Sequence, residues 1–167
     1  MTNSALAFSD GMISAVARLG YGFHFEEGGC YSMALALHYA LSQRGQHAQL
    51  VYDETIGHAF VQIGGAFIDH QGTMVNPDLI ATRNPQQHTP ESLIRLAVGH
   101  GHSLFDVATD YVTASKAIYI ANVLVQHPGF QTALVDGNRI EEVVTGILDP
   151  LPPELFDDRN FAFPYLN

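Results

Sequence analysis

The sequence predicts an α+β fold in which a central Cys-bearing helix packs on a small antiparallel sheet, with additional helices in the C-terminal part. Three observations lead there. The stretch after Cys30 is apolar almost all round, as a buried helix is. Three short runs rich in β-branched and aromatic residues follow it, two of them joined by Gly64-Gly65. From Pro90 onward, Ala-rich segments with apolar stripes read as helices. With 167 residues, 47% hydrophobic and 14% charged, the chain is long and apolar enough to enclose a core, and one domain over residues 1–167 is expected.

The elements follow in order. "SDGMISAVARL" sets Met12, Ile13, Val16 and Leu19 at helical spacing behind a Ser or Asp cap, with Gly20 as the stop. "GYGFHFEEGG" reads as a loop. From Cys30 to Arg44, Met33, Leu35, Leu37 and Leu41 stand among alanines, and Gly45 suits a C-cap. "AQLVYDE", "HAFVQI" and "AFIDHQ" are strand candidates, the last two forming a hairpin over Gly64-Gly65. "TPESLIRLAVGH" starts a helix near Pro90. "SLFDVATDYVTASKAIYIANVLVQ" reads as one or two helices, and "GNRIEEVVTGIL" as another. The tail, with four of the eight prolines, is expected to wrap the surface in extended form.

Composition excludes several functions. Seven Lys plus Arg against seventeen Asp plus Glu give a net charge of -10, which repels phosphate backbones and anionic membrane surfaces, so neither nucleic acid nor membrane is an expected partner. The single cysteine cannot form an internal disulfide or a thiolate-rich zinc site. Residues 1–12 lack a basic n-region, and the expectation is a cytoplasmic protein.

The chemistry centres on Cys30. Helix N-termini favour a thiolate through their unpaired N–H groups and macrodipole, and Gly28 and Gly29 let the backbone come close to a substrate. Free cysteines are also among the most often buried residues, so the position alone admits a structural reading. A partner base changes the weighting. His58 opens a strand 28 residues downstream. A two-residue loop at Gly64-Gly65 pairs Ile63 with Ala66, Gln62 with Phe67, Val61 with Ile68, Phe60 with Asp69 and His58 with Gln71. His58, Phe60, Asp69 and Gln71 then share one face, and His70 points to the other. That register makes Asp69 the group that orients His58, and a slip of one residue would substitute His70.

A Cys opening a central helix in "GGCYSMALALHYALSQRG", then His and Asp on adjacent strands in "HAFVQIGGAFIDHQG", resembles the papain-like cysteine hydrolase superfamily, closest to its transglutaminase-like branch. The resemblance covers about residues 22 to 72. It implies Cys30 as nucleophile, His58 as general base and acid, and Asp69 as the orienting group. Papain-type enzymes place a Gln ahead of the Cys as oxyanion donor, but no Gln or Asn lies between Ser4 and Cys30. His24, six residues before Cys30, stands at that spacing, and the Cys30 backbone N–H is a second donor. Gly29, Tyr31 and Gln71 complete the candidate oxyanion and substrate contacts. No Asp-rich calcium loop is present, and no cofactor is implied.

Other signals have plainer readings. His100 and His102 in "GHGHS", with His88 and His70, offer metal-ligand chemistry without a fixed carboxylate; a surface loop is the preferred reading, and no metal site is expected. Glu26 and Glu27 suit the helix dipole or a cationic substrate. Tyr21, Phe23, Phe25 and Tyr31 suit either a groove or a core. The functional expectation is a cysteine-dependent hydrolase or acyltransferase acting on a peptide bond, a glutamine side chain or a small amide. The alternative is a catalytically inactive papain-like fold that binds a protein as an effector or inhibitor. Past Gly72 nothing chooses among a lid, a partner surface and a homodimer contact.

Overall fold

The computed structural model describes residues 2–20, 28–137 and 139–165. Among them are seven α-helices and a five-stranded antiparallel sheet, so the fold is α+β. The order is α1 (Thr2–Leu19), α2 (Cys30–Gln43), β1 (Gln49–Asp53), β2 (His58–Ile63), β3 (Ala66–Asp69), β4 (Gly72–Thr73), α3 (Pro77–Thr82) and β5 (Gln86–His88). Then come α4 (Pro90–Gly99), α5 (Leu104–Val125), α6 (Pro128–Asp136) and α7 (Ile140–Leu148), closed by two 3-10 turns, Pro153–Phe156 and Asp158–Phe161. No described helix is long and apolar enough to cross a membrane.

The strands lie in the order β4-β3-β2-β1-β5. Alternation sends Leu50, Tyr52, Ala59 and Val61 into the main core with α2, while Val51, Phe60 and Phe67 form a smaller cluster with Ile80 of α3 on the opposite face. Helix α2 is the hub: Met33, Ala34, Leu35, Ala36 and Leu37 are all buried, as its uniformly apolar sequence requires. It packs on the sheet and on α5, where the buried Ser32 hydroxyl donates to the Val107 carbonyl at 2.7 Å.

Several expectations change. Helix α1 begins at Thr2, so Ser9 is no cap; its hydroxyl accepts the Thr73 N–H at 2.9 Å and ties α1 to β4. The approach is close enough that a Cβ on Gly72, at φ +91°, would lie 2.3 Å from the Ser9 Cα. The segment from Ser103 onward forms one 22-residue helix, α5, capped by Ser103. Helix α6, with Pro128 in its first turn and a left-handed Gly137 after it, has no counterpart in the sequence reading. The Pro-rich tail coils into 3-10 turns in place of an extended strap.

Candidate active site

His58 opens β2 and Asp69 closes β3, so both stand at the same end of the sheet. The observed register pairs Ile63 with Ala66, Gln62 with Phe67 and Val61 with Ile68, as the Gly64-Gly65 loop demands. Gly64 takes the left-handed φ of +56° that the turn needs. The β2–β3 ladder ends at Val61 and Ile68, short of the expected pairs; on its other edge β3 pairs Asp69 with Gly72 of β4, and the chain turns at His70 and Gln71. Asp69 still shares the face of Phe67 and Phe60, and the His58 ring lies 5.6 Å from that of Phe60.

The His58 Nε2 and Asp69 Oδ2 atoms are 3.0 Å apart, at side-chain exposures of 18% and 10%. The second carboxylate oxygen, Oδ1, accepts the Gln71 backbone N–H at 2.8 Å. Asp69 is therefore held at both oxygens, which fixes its carboxylate against the His58 ring. Cys30 lies near enough to the His58 ring for its thiol to help raise the imidazolium. With Nε2 on Asp69, Nδ1 is the nitrogen left for the sulfur. Cys30 opens α2, and no side-chain hydrogen bond caps that helix at Gly29.

Burial pulls the His58 imidazolium down, but hydrogen bonds to Asp69 and Cys30 outweigh it and carry the group from 6.5 up to about 9. Burial would raise Asp69, yet the His58 hydrogen bond, the Gln71 amide and the neighbouring imidazoles hold it below the ordinary carboxylate value. The folded-state value of His58 lies above the unfolded one. Its contribution to stability is therefore complete below pH 6.5 and is lost as pH rises through about 9. We expect denaturant unfolding to show a decline on the order of 2 kcal/mol across that window, and a flatter profile in Asp69→Asn.

Other candidates fall differently. Gln71 does not sit opposite His58. It lies exposed in the turn, and its backbone amide, not its side chain, reaches Asp69. His70 does not point away; β3 ends one residue before it, strand alternation lapses, and its ring stands edge-on to His58 at 6.3 Å. Tyr31 is buried, stacks on Tyr52 at 5.8 Å and shares a 2.6 Å hydrogen bond with His100 Nδ1. Burial, with Tyr52 and Cys30 nearby, pushes its phenol far up. Gly28, expected to admit a substrate, is covered by the chain itself: a Cβ there would lie 2.3 Å from His102 Cε1, and its φ is +117°. His24, Glu26, Glu27, Tyr21, Phe23 and Phe25 lie outside the described residues.

Sequence reasoning missed that His88, His100 and His102 gather around Tyr31 and Tyr52, with ring centroids between 5.3 and 6.4 Å. It also missed the approach of His70 to His58 and Asp69. Gly72 after two polar residues was the available signal for a turn there. The chain matches no protein-family model, no curated protein and no solved structure.

Proposed function

We propose that this chain is a papain-like, transglutaminase-like cysteine hydrolase or acyltransferase acting on amide bonds. The observation that carries the reading is the His58 imidazole held 3.0 Å from the Asp69 carboxylate, with the Cys30 thiol near enough to act on the same ring. In that arrangement His58 takes the thiol proton, and the sulfur attacks the amide carbonyl to give a tetrahedral oxyanion. The Cys30 backbone N–H, at the start of α2, donates to that oxyanion. Collapse breaks the C–N bond as the imidazolium returns its proton to the leaving amine, and a thioester remains on Cys30. Water or a second amine then attacks the thioester, gives its proton to His58, and releases acid or new amide with the thiol restored. Peptides, proteins bearing glutamine and small amides all satisfy this chemistry.

Intact-mass measurement of the chain mixed with glutamine peptides and small amides tests the proposal. An acyl adduct with release of ammonia or amine is expected, absent in Cys30→Ser; no adduct and no release with any substrate class would count against it.

One observation favours the second reading, a catalytically inactive papain-like fold that binds a protein as effector or inhibitor. Cys30 is only 5% exposed and belongs to the main core, as an inert small hydrophobe would. On that reading the thiol resists alkylation in the folded chain.

A further inference from the structure

We propose that His58, Asp69 and His70 form a zinc-binding site whose occupation excludes the thiol chemistry; the regulatory half of this rests on the function proposed above. One ligand atom from each residue lies within 4.8 Å of the other two. Two imidazoles and a carboxylate are a donor set that zinc accepts, with a fourth tetrahedral position left for water. Two ligand atoms on a tetrahedral zinc stand about 3.3 Å apart at ordinary bond lengths. The His58 Nε2 and Asp69 Oδ2 atoms are already 3.0 Å apart, so an ion replaces the shared proton with little movement.

The surrounding chain supports that geometry. The turn between β3 and β4 puts His70 directly after Asp69 and brings it back to His58, and Gly72 makes the turn at φ +91°. The Gln71 amide holds Asp69 Oδ1 and aims Oδ2 at the shared centre, the outer-shell support that metal carboxylates generally have. The partly exposed His58 ring leaves a way in for the ion.

The consequence for chemistry follows from proton balance. Zinc takes the Nε2 lone pair, and the ring's one proton, given up at Nε2, is carried instead on Nδ1, the tautomer that a neutral Nε2-bound imidazole requires. The ring then has no lone pair with which to accept the Cys30 proton, so metal binding and thiol activation compete for one imidazole.

Calorimetric titration of the full chain with zinc chloride tests the site, using wild type, Cys30→Ala, His70→Ala and His70→Gln, with circular dichroism to verify folding. One zinc per chain is expected in wild type and in Cys30→Ala, with affinity lower by about ten-fold or more in both His70 variants. Zinc is expected to slow alkylation of Cys30 by iodoacetamide in wild type and not in His70→Ala, each rate being taken relative to that of the same chain without zinc. No binding to wild type, or binding lost in Cys30→Ala and kept in the His70 variants, would overturn the site. Binding that leaves wild-type alkylation unchanged would overturn the competition. Because Cys30→Ala is titrated without any thiol, failure of the catalytic reading does not mask the result for the metal site.

Discussion

On the function proposed above, turnover of an amide substrate is expected to fall about a thousand-fold in His58→Ala, within the range that loss of a positioned general base produces. His58 is the only described group that links the carboxylate at the end of β3 to the sulfur at the start of α2. Its removal leaves Cys30 in place on a helix fixed by Met33, Leu35 and Leu37, each at most 2% exposed. The loss should therefore fall on kcat and kcat/KM together, with KM little changed. Removing the ring also leaves one oxygen of Asp69 without its partner, at a cost of about 1–3 kcal/mol. His58→Gln, which restores a hydrogen-bond donor but no base, separates the two effects. It should recover stability and not turnover. Steady-state kinetics beside urea unfolding read both, and equal activity in wild type and His58→Ala would remove His58 from the mechanism.

Arg83→Ala is expected to destabilise the fold by about 3 kcal/mol, the lower end of the cost of stripping one partner from a buried ion pair, since Asp53 is buried and the guanidinium partly exposed. Asp53 is fully buried at the end of β1, and its Oδ2 accepts from Arg83 Nε at 2.6 Å while Oδ1 accepts the Thr55 N–H at 2.9 Å. Without the guanidinium the carboxylate stays out of water with its charge uncompensated. The effect reaches the site because Asp53 pairs with His58 across the β1–β2 ladder, so a loosened strand end displaces the ring. Arg83→Met combined with Asp53→Leu removes both charges and should recover most of the loss. Urea midpoints of the two chains check this, and a single variant within about 0.5 kcal/mol of wild type would show the pair to be dispensable.

Much of the candidate site's backbone placement was legible in the sequence because it depends on short-range rules. The apolar run after Cys30 admits only a buried helix, and Gly64-Gly65 sets a register from which His58 and Asp69 emerge on one face. What failed did so where a regular pattern ended. Alternation carried through residues 70 and 71 misplaced His70 and Gln71, since β3 stops at Asp69 and the next two residues turn. Helix α6 went unread, although Pro128 occupies its first turn, where the missing N–H costs nothing. The prolines of the tail were read as extended, yet Pro153 begins a 3-10 turn. Strands β4 and β5, of two and three residues, carry too little pattern to be seen before they pair. The Tyr31–His100 bond joins residues 69 apart and follows from packing of α2 against the end of α4, which no local rule encodes.

The central claim is that Cys30 is activated by His58, and the rate of Cys30 alkylation by iodoacetamide between pH 5 and 10, in wild type and His58→Ala, tests it most directly. The account predicts that near pH 6.5 the wild type reacts about ten-fold faster or more than the variant. The difference should close as pH passes about 9, where the His58 imidazolium gives up its proton. Equal rates in the two chains at every pH, or a thiol that does not react in either, would contradict it and leave Cys30 as a packed residue of the core.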